Sequence, residues 1–430
     1  MLLRRDTMKA AALALLPLAG TARAQAATTL TIWHDLGEPG TKWFAEASGI
    51  FAQGHPGVTI RAISYPTDQW FGRVIGALNT DTAPDLIFNN YERVIRIANE
   101  TGKLMNLKSV LDGIGDRGFL SEDDLRVATY KGSTIILPVQ RVQMAFGART
   151  SWLANVHEPF PKTWDDAKRT AEQFQSGDPA GTGKGTVFGF ALEAAKPRDL
   201  IHMLDLFTFG AGVRHTLLAP DGTITIDEPR HAAILEQFMK IFTVYKLVPP
   251  DTINYSFNEM YQLIEGARAG MFRVGDWNVA KWTTSGIKGD FEVGPWPQFF
   301  PDLPGNVVIG GMRGVAVPDN APHKPLATEL AAFLLGKPAQ QASLQLLGAA
   351  VRTDLDTAGL SPQAKRFANP TWPLIAYDFP ESIHPWYPKL EAAFHRKLLD
   401  GISNPPKDYP AYIKQLAGEM RQAAASFSKE

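Results

Sequence analysis

Residues 28–35 read TTLTIWHD. Leu30 and Ile32 alternate with Thr29 and Thr31, the period of a strand with one face turned to a core. The strand then runs into Trp33, His34 and Asp35, an aromatic ring followed by two polar groups. What comes next decides the fold class. In KWFAEASGIFAQGHPG, residues 42–57, the apolar residues Trp43, Phe44, Ala47, Ile50 and Phe51 recur at helical spacing, and Gly54 with Pro56 supplies the stop. VTIRAI, residues 58–63, alternates again. Strand, helix, strand is the unit of a parallel sheet, so the chain reads as α/β.

The unit repeats downstream. QWFGRVIGAL (69–78) places Trp70, Phe71, Val74, Ile75 and Leu78 on one helical face, and DTAPDLIFNN (81–90) turns through Ala83-Pro84 into a buried strand, Asp85 to Phe88. A helix around Arg93 to Glu100 stops at Gly102. Open parallel sheets bind ligands beyond the carboxyl ends of their strands. Trp33, His34 and Asp35 occupy one such position and Asn89, Asn90 and Tyr91 another, which makes these six the first candidate binding residues.

Upstream lies MLLRRDTMKAAALALLPLAGTARAQA. Basic residues, an apolar run from Ala10 to Ala19 and the small-residue sequence around Ala22 to Ala26 have the layout of a cleavable export signal, residues 1–26. Arg4-Arg5 also fits a twin-arginine signal, apart from Thr7 where an apolar residue is usual, so both export routes stay open. A periplasmic location is the expectation. The 430 residues allow two substantial domains. A net charge of −1 without a basic stripe argues against nucleic acid or an anionic membrane surface as partner. Cysteine is absent, which excludes disulfides, thiolate zinc and a lipid anchor on cysteine.

Alternation of helix and strand signals continues. Thr163 is placed to cap WDDAKRTAEQF (164–174), with Asp166 completing an acidic capping box. TVFGFAL (186–192), TITID (223–227), MFRVGDW (271–277) and RGVAVP (313–318) read as strands. HAAILEQFMKIFTVY (231–245) reads as a helix with Ile234, Leu235, Phe238, Ile241, Phe242 and Tyr245 inward, and ATELAAFLLG (327–336) as another. Trp70 and Trp164, on apolar helix faces, read as core. No low-complexity linker separates two domains.

Together these stretches resemble the extracellular solute-binding proteins that serve carbohydrate ABC transporters, the group similar to maltose-binding protein. The resemblance rests on ordered landmarks along the whole chain after the signal: LTIWH (30–34), APDLIF (83–88), ANETGKLMNL (98–107), KGSTIILP (131–138), PFPKTWDDAKRTAEQF (159–174), GTITIDEPRHAAI (222–234), FNEMYQLIEGARAGMFRVGDW (257–277), FEVGPWP (291–297) and IGGMRGVAVP (309–318). It implies two α/β lobes, each a mainly parallel sheet flanked by helices, joined by hinge crossings, with a carbohydrate held in the cleft and the lobes closing around it. Crossings are expected near Pro138 to Arg141, near Gly310 to Gly314 and after Arg352. These give lobes of 27–138 plus 315–352 and 139–314 plus 353–430. The implied partners are membrane permease subunits of an importer, and the implied state is a monomer without a cofactor.

A sugar ring offers a C–H face that stacks on aromatic carbon and hydroxyls that need directional partners. Strand ends carrying Trp33, His34, Asp35, Asn89, Asn90 and Tyr91 supply both. From the second lobe the resemblance nominates Asp276, Trp277 and Trp296, with Gly310 and Gly311 bringing backbone close to the ligand. Met312-Arg313 stands where small residues are usual in the family. A neutral sugar is the first expectation. Arg313, with Arg141 and Arg352 near the other two crossings, raises the alternative of an anionic sugar derivative or sugar-phosphate, because a guanidinium grips an oxyanion with two parallel hydrogen bonds.

Enzymatic readings fare less well. The nine histidines include no pair at metal-site spacing, GTGKGT (181–186) lacks the Ser or Thr of a phosphate loop after Lys184, and no G-x-S-x-G elbow occurs. A secreted glycosidase would also combine cleft aromatics with carboxylates, but the landmark order favours binding without turnover.

Overall fold

The computed structural model describes residues 27–115, 117–284, 286–377 and 384–429. The expected export signal, residues 1–26, lies outside them. The strands are β1 (Thr28–His34), β2 (Val58–Ser64), β3 (Leu86–Asn90), β4 (Thr129–Tyr130), β5 (Ser133–Thr134), β6 (Leu137–Ala148), β7 (Phe188–Phe190), β8 (Ala269–Gly275), β9 (Glu292–Gly294), β10 (Val307–Ala316) and β11 (Leu374–Ala376). Apart from the small β4–β5 hairpin they form one sheet in the order β2-β1-β3-β10-β6-β8-β7, with β11 beside β10 and β9 beside β6. Toward one edge β1 runs parallel to β2 and β3, and at the other β7 runs parallel to β8, as strand–helix–strand connections require.

Two long strands tie these parallel groups together. β6 pairs antiparallel with β10 over residues 137–144, then with β8 and β9 through its last residues. β10 pairs with β11 through Val307 to Ile309 and with β3 through Arg313 to Ala316. β10 therefore links β3 to β11, and β6 links β10 to β8 and β9. The register of β10 on β6 shifts between Ile309 and Gly311 and again between Arg313 and Gly314. Bulges of this kind increase local twist and bend a strand.

The helices are α1 (Gly37–Gly54), α2 (Thr67–Leu78), α3 (Tyr91–Thr101), α4 (Lys108–Asp112), α5 (Glu122–Ala128), α6 (Thr150–Asn155), α7 (Trp164–Gly177), α8 (Pro197–Gly210), α9 (Pro229–Thr243), α10 (Phe257–Glu265), α11 (Asp276–Thr284), α12 (Lys324–Phe333), α13 (Lys337–Leu347) and α14 (Pro362–Ala368), followed by Tyr387–Ser403 and Tyr409–Phe427. Leu30 and Ile32 pack under Trp43, Phe44 and Leu330 on one face of the first parallel group. Trp70, Val74 and Ile87 belong to the core on the other face. Trp43 packs at a tilt against Phe44, with ring centroids 4.4 Å apart, and donates its indole N–H to Ala339 O, fastening α1 to α13. Each such ring contributes ~1.5–3 kcal/mol by leaving water.

Local signals explain several boundaries. Thr163 and Asp166 form the reciprocal capping box, each side chain accepting the other's backbone N–H at 3.1 Å. Gly102 ends α3 in the left-handed conformation at φ 63°. Two expectations need correction. TITID makes no strand, only an isolated bridge between Leu218 and Ile224 in a turn-rich loop. MFRVGDW is not all strand, because Asp276 and Trp277 open α11.

Candidate functional site

β6 and β10 form the floor of a cavity of about 1020 Å³. Side chains alternate along a strand, so Gln140, Val142 and Met144 face the cavity while Arg141 and Gln143 face the opposite side. Arg313 on β10 stands opposite Gln140 and shares its face, whereas Met312 stands opposite Arg141 and is buried. One wall carries Asp35, Asn90, Glu92 and Arg93, and the other Glu193, Phe257, Arg273, Asp276 and Trp277.

The first wall is a chain of polar contacts. Asp35 Oδ2 accepts from Arg93 Nη1 at 2.9 Å. Asn90 Oδ1 accepts from Arg313 Nε at 2.6 Å while its Nδ2 donates to Glu92 Oε1 at 3.0 Å, so the amide stands between carboxylate and guanidinium. Glu92 Oε2 is buried without a partner among the described residues.

On the second wall Glu193 and Arg273, each 2% exposed, form an ion pair at 3.0 Å. Burial pushes the Glu193 carboxyl up against the pull of Arg273, and its Oε2 has no partner among the described residues. Arg273 lies 4.9 Å from the Phe257 ring centroid, a cation–π contact that leaves Phe257 itself 40% exposed. Asp276 is buried at the first turn of α11. Its Oδ2 accepts the Gln143 N–H at 3.0 Å and its Oδ1 the Trp277 N–H at 2.8 Å. Burial nevertheless pushes its carboxyl up to about 7, outweighing those bonds and the charge of Arg313.

Of the thirteen residues nominated from sequence, Asp35, Asn90, Asp276, Trp277 and Arg313 line this cavity. The others are placed elsewhere, for identifiable reasons. His34 is in phase with Leu30 and Ile32 and is fully buried. Its Nδ1 accepts the Leu36 N–H at 3.2 Å, and burial lowers its pKa to about 4, keeping the ring neutral. Trp33, on the other face of β1, packs edge-on against Tyr65 at 5.1 Å. Asn89 is buried and turns its Oδ1 to the Asn90 N–H, and Tyr91 is in the core. Trp296 is buried against Phe207 and Phe146, its indole N–H bonded to Met144 O. Arg141 is held by Asp124, Val351 O and Phe119 O behind the sheet. Gly310 lies within β10, and Gly311 borders a small crevice with Met312 and Tyr377.

Sequence reasoning missed Glu92, Gln140, Glu193, Phe257 and Arg273. Two of them left a signal. Arg273 is a lone charge inside the buried run GMFRVG, and Glu193 follows directly on TVFGFAL, at the strand-end position already used to choose Asp35 and Asn90. Phe257 and Gln140 needed the packed structure. No grouping of three or more His, Asp or Glu among the described residues could hold a metal ion.

Comparison with known proteins adds to this geometry. Residues 34–341 match the family model described as bacterial extracellular solute-binding protein. No curated protein matches significantly. Among solved structures, an ABC transporter solute-binding protein from Thermotoga lettingae bound with alpha-D-tagatose superimposes with a TM-score of 0.73 at 17% identity, covering 92% of this chain and 100% of that one. A maltose-bound T. maritima protein gives 0.71 at 17% identity over the same shares. The cyclic alpha-maltosyl-1,6-maltose binding protein from Arthrobacter globiformis gives 0.73 at 16%, over 92% of this chain and 99% of that one.

Proposed function

The chain belongs to the bacterial extracellular solute-binding protein family, and from that premise we propose that it is the exported binding component of an ABC importer, capturing a carbohydrate between two lobes. The carrying observation is that both walls present buried carboxylate oxygens without partners among the described residues, Glu92 Oε2 and Glu193 Oε2. Leaving a buried acceptor unpaired costs ~1–3 kcal/mol. Sugar hydroxyls are donors that would relieve this, while the exposed Phe257 ring and the half-buried Trp277 ring offer apolar faces for the sugar's C–H surface.

The lobes in this reading are 27–138 plus 315–352 and 139–314 plus 353–430, hinged on β6 and β10. The third crossing is supported by Val351, whose N–H bonds to Val139 O, and by β11, which pairs with the other end of β10. Delivery to permease subunits, a periplasmic monomer and the absence of turnover follow as parts of the same reading. Thermal unfolding against a panel of sugars tests it. A ligand at 100 times its Kd raises stability by ~2.7 kcal/mol, and Trp277→Ala weakens that ligand's binding ~10- to 100-fold if the ring is covered. No shift with any sugar, polyol or sugar acid, or hydrolysis of chromogenic glycosides, would count against it.

A further inference from the structure

Most charge in the cavity is matched within the protein. Asp35 is tied to Arg93 and Glu193 to Arg273. Arg198 lies 3.5 Å from Glu391, and Lys281 is bonded to Glu265, both acids outside the cavity lining. Lys196 acts on Asp199 at the start of α8. Two groups differ, one on each side of the Asn90 amide: Glu92, whose Oε1 accepts from Asn90 Nδ2 and whose Oε2 has no partner among the described residues, and Arg313, whose Nε donates to Asn90 Oδ1 and which makes no ion pair with an acid among the described residues. Asp276, the carboxyl that feels its charge, already gives both oxygens to backbone N–H groups.

Resting on the carbohydrate reading above, we infer that the ligand is an anionic sugar, bearing a carboxylate or phosphate monoester, and that Arg313 holds this oxyanion through its two outer nitrogens. A guanidinium engaged only at Nε keeps its planar fork for a bidentate partner, which a neutral sugar cannot match in charge. Aromatic surface is sparse by comparison: of Phe, Tyr and Trp, only Phe257 and Trp277 line the cavity among the described residues.

Calorimetric titration of the purified protein at pH 7.5 tests this with a matched panel of neutral sugars, their uronic acids and their 6-phosphates. The expected result is an acid or phosphate bound ~10- to 100-fold more tightly than its neutral counterpart. Arg313→Met should abolish the preference and Arg313→Lys keep part of it. Neutral sugars bound as tightly as their acids, or a preference that survives Arg313→Met, would overturn the inference and leave the carbohydrate reading standing. Binding of no sugar, neutral or charged, would overturn both.

Discussion

His34 shows how a single residue's chemistry follows from phase. It stands two residues after Ile32 and four after Leu30, so the alternation that buries them buries it as well. Enclosure there favours the neutral ring and lowers its pKa from 6.5 to about 4. Between those values the unfolded chain binds a proton that the folded chain refuses. The stability that the neutral ring contributes is therefore complete above pH 6.5 and lost as pH falls toward 4, an effect of ~3 kcal/mol. Urea unfolding of the wild type and of His34→Gln across that range should show the stability difference shrinking toward acid. A difference constant with pH would show that the histidine is not held neutral by the fold.

Elements matter most where β10 crosses β6. A Cβ on Gly314 would stand 2.2 Å from Leu137 O and 2.7 Å from Ile136 Cγ1, and the first of these is backbone that cannot turn aside. Glycine is required at this point because two strands and a register shift meet there, not because of a left-handed torsion. Gly314→Ala should cost ~1–3 kcal/mol by forcing β10 away from β6. The same displacement should weaken ligand binding, since Arg313 precedes the glycine directly. Equilibrium unfolding and a binding titration on one sample would check both, and an unchanged midpoint would mean that the strands absorb the methyl.

At the scale of the whole molecule, the cavity is built from residues far apart in sequence, Asp35 and Asn90 on one wall and Phe257 and Trp277 on the other. β6 and β10 are the continuous strands between the walls, so a motion that brings the walls together must bend or twist them. Bound ligand should therefore reduce the radius of gyration in small-angle scattering, and removing it by dialysis should restore the larger value. Identical scattering curves with and without a ligand of proven affinity would exclude closure.

Sequence by itself determined the α/β class, most of the element order and the helix boundaries at Thr163 and Gly102, because these depend on periodicity and on residues a few positions apart. TTLTIWHD and the helix after it were legible for that reason, as was the Thr163–Asp166 box. It also pointed to the strand ends for candidate binding residues, and of those nominated Asp35, Asn90, Asp276, Trp277 and Arg313 border the cavity. Which neighbour at a strand end faces that cavity was decided by tertiary structure. Trp33 went to Tyr65, Trp296 to a cluster of phenylalanines and Arg141 to Asp124, because each had a partner from a distant element that no local pattern records. Arg273 and Glu193 entered the cavity for the same reason, since only the packing of α8, α10 and β8 brings a buried charge pair and an exposed ring to one wall.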